Sequence, residues 1–134
     1  MEISIIAKQL LEQVKKYHDN GISLYHINPQ SILVQDGFRE NSVISLQISH
    51  AAAMIVAQTL RCGSLSYITG VDRLFLAPEL MKNRLGPKSD VWSIGVILYL
   101  LITGGVNDKR HEEVFDFHES IWFNVSEEMK DFML

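Results

Sequence analysis

Cysteine is almost missing from this chain: Cys62 is the one thiol in 134 residues. A single cysteine excludes an internal disulfide, so a reducing, intracellular setting is expected, cytoplasmic or cytoskeletal. Long apolar runs are missing too. The longest, Val91 to Ile102, is interrupted by Ser93 and Gly95 and falls short of the ~20 residues that a membrane span needs. The N-terminus lacks the charged-then-apolar pattern of a secretory signal. Nor does one sign of charge dominate. Twelve Lys and Arg stand against 16 Asp and Glu, for a net charge of -4, which gives neither a nucleic-acid footprint nor an anionic-membrane surface. Finally, no G-x-G-x-x-G or P-loop string occurs. The pair Gly104-Gly105 follows a helical pattern and reads as a helix stop.

What is present suits one compact domain, residues 1–134. Apolar residues make up 47% of the chain, enough for a core at this length. The pattern is mostly helical. Ile3, Ile6, Leu10, Val14 and Tyr17 recur at helical spacing, with Gln9, Glu12, Lys15 and Lys16 on other faces. Asp19-Asn20-Gly21 ends that helix, Gly21 suiting a left-handed cap. Short strands are expected around Ile32–Val34 and Val43–Leu46, with Asp36-Gly37 supplying a turn, and the Ala-rich stretch Ala51 to Ala57 reads as a possible helix. Asp90 to Leu101 is apolar almost all round and is expected to be a buried hub, capped by Ser89 or Asp90. Ser126, followed by Glu127 and Glu128, is sound helix-start chemistry. The fold class is therefore mainly α (α+β), helical with a short two-stranded β element.

Two ordered stretches carry more than periodicity. Leu76-Ala77-Pro78-Glu79-Leu80, followed by Gly86-Pro87-Lys88-Ser89-Asp90-Val91-Trp92-Ser93-Ile94-Gly95, resembles the A-P-E motif and succeeding helix of protein kinases, above all the calcium/calmodulin-dependent and calcium-dependent Ser/Thr kinases. His18 to Val34 is similar to that family's helix end, H-R-D-L-K-P-E-N loop and strand. Gly21, Ile22, Pro29, Ile32 and Leu33 match. The resemblance implies a truncated kinase-like larger lobe, with no counterpart of the smaller lobe and its phosphate loop.

The register that this resemblance supplies places uncharged or unexpected residues at the catalytic positions. Leu24, Tyr25 and His26 stand for H-R-D, Asn28 for the lysine, Ser31 for the asparagine, and Gln47-Ile48-Ser49 for D-F-G. In active kinases the loop aspartate handles the substrate hydroxyl proton, while the asparagine and the D-F-G aspartate hold magnesium. A glutamine amide is a poor ligand for this hard cation, and no Asp lies between Gly37 and Val71 to rescue the site. His26 could accept a proton as neutral imidazole, but it would have no metal cage beside it.

Ala77, Pro78, Glu79, Asp90 and Trp92 are read as retained structural residues. The resemblance implies that Asp90 holds the loop backbone, and that Glu79, without its usual arginine partner, finds Arg84 or Arg73 or sits exposed. The region from Gln47 to Ala77 is longer than usual and is expected to be packed and fixed, or docked on a partner. The expected function is a catalytically inactive, pseudokinase-like subunit acting as a structural or protein-interaction component of a larger assembly. The alternative is a nucleotide-binding or regulatory kinase-related fragment completed by another chain. Partners are expected to be other protein subunits, with no nucleic acid, no direct membrane insertion, no ATP binding, no cofactor and no metal. Phe115, Phe117, Ile121, Trp122, Phe132, Met133 and Leu134 are the candidate interface. His111 and His118, seven apart around Glu112, Glu113 and Asp116, read as a solvated acidic helix rather than a zinc site. Asn124-Val125-Ser126 matches a glycosylation sequon but is explained by helix capping.

Overall fold

The computed structural model describes residues 3–35, 45–49, 51, 70–82, 84–105, 115, 122–123 and 125–133. Asp36-Gly37, Val43-Ile44, residues 52–57, Cys62, His111, Phe117, His118, Ile121, Asn124 and Leu134 lie outside them.

Helix α1 runs Ile3–Asp19 and buries Ile6, Ala7, Leu10 and Val14, one stripe at three- and four-residue spacing. It stops as its sequence directs. Gly21 adopts φ 72, and two bonds close the end, Gly21 N–H to the His18 carbonyl at 2.9 Å and Ile22 N–H to the Tyr17 carbonyl at 2.9 Å. That pair of crossed bonds is a left-handed helix stop for which glycine has no Cβ penalty.

Strand β1 (Ile32–Gln35) pairs antiparallel with β2 (Ser45–Ile48), Ile32 opposite Ile48 and Gln35 opposite Ser45. β2 therefore extends beyond the Leu46 expected as its end. Among the described residues its far edge is satisfied by α1. The Leu46 N–H donates to Gln9 Oε1 at 2.8 Å, the Ile48 N–H donates to Gln13 Oε1 at 2.8 Å, and Gln13 Nε2 donates to the Leu46 carbonyl. Gln9, assigned from sequence to another face, is thus a strand partner.

Single-turn 3-10 segments at Pro29–Ser31 and Leu80–Lys82, and a longer one at Gly70–Phe75, link the larger elements. Helix α2 (Lys88–Thr103) buries Ser89, Asp90, Ser93, Ile94, Val96, Ile97, Leu98 and Tyr99 and ends at left-handed Gly104, φ 74. The expected side-chain cap is not made: Pro87 occupies the N-cap position without a cap hydrogen bond, because Ser89 and Asp90 bond elsewhere. α2 is a hub on most of its circumference, with Val91, Trp92 and Leu101 each more than a third exposed. Helix α3 (Glu127–Met133) starts at Ser126, whose Oγ accepts the Met129 N–H at 3.3 Å.

One core joins these pieces. Leu10 and Val14 of α1 meet Leu24 and Ile27 of the intervening loop, Leu46 and Ile48 of β2, Phe75, and Ile94, Ile97 and Leu98 of α2. Most of these side chains are almost completely excluded from water, each worth roughly 1.5–3 kcal/mol of transfer free energy. Among the described residues no helix is long and apolar enough to cross a membrane.

Candidate functional site

The site is built around a buried carboxylate. Asp90, in the first turn of α2, is wholly inaccessible to solvent. Its Oδ2 accepts the Leu24 N–H at 2.9 Å and lies 2.7 Å from His18 Nε2, and its Oδ1 accepts the Tyr25 N–H at 2.5 Å. Two backbone donors and a ring N–H thereby compensate for removing the group from water. The same bonds hold Tyr25 at φ 62, a left-handed conformation that costs a non-glycine residue about 1–2 kcal/mol. Asp90 thus organises the loop, as the resemblance implied, and this is why it does not cap its own helix.

The loop's chemistry turns inward. His26 is buried at 6% exposure. Its Nε2 lies 3.1 Å from the Asp72 carbonyl, an acceptor, so Nε2 carries the proton. The ring meets Phe75 edge-on, centroids 6.4 Å apart. Asn28 and Ser31 bond each other reciprocally around the Pro29–Ser31 turn. Asn28 N–H donates to Ser31 Oγ at 3.0 Å, Ser31 N–H donates to Asn28 Oδ1 at 2.9 Å, and Ser31 Oγ–H donates to the Asn28 carbonyl at 2.7 Å. This is a capping box, and Asn-Pro-x-Ser carried its signal in the sequence. Both residues are buried.

The residues expected at the D-F-G position lie at and just beyond the end of β2. Gln47 and Ile48 lie inside β2, and the residue that leaves the strand beside Ser31 is Ser49, whose N–H donates to the Ser31 carbonyl at 2.6 Å. Ile48 is core, at 2% exposure, and Gln47 is exposed, its Oε1 accepting from Gln35 Nε2 at 2.8 Å. None of Gln47, Ile48 and Ser49 carries a carboxylate. Among the described residues, no three His, Cys, Asp or Glu side chains converge on a possible metal position. No buried side-chain nitrogen or oxygen among them lacks a partner either.

The Gly70–Lys82 segment is pinned by neutral contacts. Trp92 Nε1 donates to the Leu74 carbonyl at 3.0 Å, and Ser93 Oγ donates to the Phe75 carbonyl at 2.7 Å. Tyr25 packs on the small cluster Leu76, Ala77 and Leu80. Ala77 is fully buried and Pro78 exposed. Glu79 pairs with neither Arg73 nor Arg84: its Oε1 accepts the Ser89 hydroxyl at 3.1 Å.

The candidate interface residues divide. Phe115 sits edge-on between Trp92 (6.0 Å) and Tyr99 (5.0 Å), and Trp122 stacks at a tilt on Tyr99 (5.8 Å). Trp122 is 4% exposed, so its ring belongs to the molecule's own packing, while Phe115 is half-buried against the core. Phe132 is 37% exposed, and Phe123, which the sequence reading passed over, is 85% exposed. Met133 closes α3. Glu128 at the start of that helix is held below the usual carboxylate range by a hydrogen bond from its own backbone N–H and then by the Ser126 hydroxyl.

The family model for the protein kinase domain matches residues 1–133. Calcium-dependent protein kinase 24 of Arabidopsis thaliana is 29% identical over 136 residues, covering 94% of this chain and 22% of that protein. The chain thus spans about a fifth of the length of that curated relative. No solved structure matches it.

Proposed function

The chain belongs to the protein kinase family, and from that premise we propose that it is a catalytically inactive kinase-like lobe serving as an interaction or structural component of a larger intracellular assembly. The observation that carries the reading is the commitment of the catalytic-loop side chains to structural bonds. His26 Nε2 donates to the Asp72 carbonyl, and the Ser31 hydroxyl donates to Asn28. A proton acceptor is useful in phosphoryl transfer only beside a metal that neutralises the phosphate oxygens. Ser31, Gln47 and Ser49 offer that metal no anionic ligand, and magnesium dehydrates reluctantly for neutral donors. The Asp90 network meanwhile keeps the loop's backbone in place, so scaffold geometry persists without reaction chemistry.

The test is phosphoryl transfer by the chain in its native assembly, with Mg²⁺ and γ-labelled ATP and a general protein acceptor. No incorporation above background is expected. Incorporation that disappears in a His26→Ala variant would establish catalysis and overturn the reading. Recovery of the native chain as a lone monomer would overturn the interaction role.

A further inference from the structure

A cleft of about 380 Å³ opens between the C-terminal half of α1 and β2, lined by Gln13, Lys16, Tyr17, Asn20, Ile22 and Gln47. Its volume lies within the roughly 300–1,000 Å³ typical of ligand sites. Gln13 is a wall, since both ends of its amide are bonded to β2. Asn20 donates through Nδ2 to the Lys16 carbonyl at 2.7 Å, which leaves Oδ1 as an acceptor. Gln47 accepts at Oε1 from Gln35, which leaves Nε2 as a donor. Lys16 differs from the other lysines of its helix. Lys8 pairs with Glu12 at 4.0 Å and Lys15 with Asp19 at 2.7 Å, whereas Lys16 has no ion pair among the described residues. No lining residue is acidic. Ile22, 39% exposed, adds apolar wall.

A chain of net charge -4 therefore keeps a cation with no ion pair among the described residues in a concave site, between an amide donor, an amide acceptor and an apolar surface. We propose that this cleft binds a short extended peptide segment of a partner protein that carries an acidic side chain. The acidic group meets the Lys16 ammonium, a peptide carbonyl accepts from Gln47 Nε2, a peptide N–H donates to Asn20 Oδ1, and a neighbouring apolar residue covers Ile22. The same helix already performs this recognition within the chain: Gln9 and Gln13 read the backbone N–H and C=O groups of β2 as a peptide edge. The proposal rests on the interaction reading and deepens it by giving the partner's chemistry.

The experiment is a titration of the isotopically labelled 134-residue chain with a capped Val-Glu-Val-Val peptide, its Gln counterpart, and acetate, followed by the Asn20 and Gln47 side-chain amide signals. Saturable shifts are expected with the Glu peptide. Binding should weaken about threefold to fivefold with the Gln peptide and with Lys16→Glu, the worth of one exposed ion pair, and should weaken as salt rises. Lys16 is exposed, so this variant should keep the parent's backbone spectrum. Equal binding of the two peptides, acetate binding as tightly as the Glu peptide, or no shift at those amides would each overturn the proposal. Absent shifts from a chain that is recovered in an assembly would overturn the cleft alone. A chain found only as a monomer would overturn the broader reading.

Discussion

Asp90 carries three donors on a carboxylate with no solvent contact, so its value lies in what would be orphaned without it. Asp90→Ala leaves two backbone N–H groups and a histidine ring unpaired, at about 1–3 kcal/mol for each buried group left unsatisfied. Urea denaturation should show a loss of at least about 3 kcal/mol, and Asp90→Asn a smaller one. A change under 1 kcal/mol would mean that water replaces the carboxylate, contrary to the packing described. His26 poses the opposite question, whether a residue change restores chemistry. A carboxylate at that buried position would face the Asp72 carbonyl, which now accepts from Nε2. His26→Asp should therefore destabilise the fold by about 1–3 kcal/mol without producing phosphoryl transfer. Stable, active His26→Asp protein would refute the placement.

Between α1 and β2, helix side chains bond the strand's outer backbone edge. Gln9→Ala combined with Gln13→Ala should speed hydrogen exchange at the Leu46 and Ile48 amides, since each bond contributes about 1 kcal/mol. Unchanged protection would show that the strand holds without them. In α3, the depressed Glu128 pKa gives a sign. The carboxylate's contribution is present above the ordinary value of 4.5 and is lost as pH falls through the lowered one. An NMR titration should find the Glu128 midpoint below 4.5 and moving upward in Ser126→Ala. α1, the Gly21 stop, both strands, the α2 hub and the Ser126 start were legible because each follows local periodicity or cap chemistry. The Gln9 and Gln13 bonds were not, because a glutamine on a helix flank looks the same whether it meets water or a strand 33 to 37 residues away. The end of β2 was misplaced for a related reason: alternation marks a strand's interior better than its last residue. The capping by Ser89 or Asp90 failed because tertiary partners outcompeted the local helix end.

Across the whole molecule, the connection that the resemblance implied between Asp90 and the Leu24–Tyr25 loop is present as two backbone hydrogen bonds. Burial of Trp122 against Tyr99, and the packing of Phe115 on Tyr99 and Trp92, were not legible, since apolar residues past a helix stop carry no sign of whether they cover the chain's own surface or a partner's. The proposed inactivity turns, at this scale, on the charge available around Ser31, Gln47 and Ser49. Calorimetric titration with ATP, run with Mg²⁺ and again with EDTA, measures that most directly. The account predicts no metal-dependent, saturable heat, and no thermal stabilisation of the kind a ligand at 100 times its Kd would add, about 2.7 kcal/mol. A one-to-one binding isotherm that vanishes on chelation would contradict it.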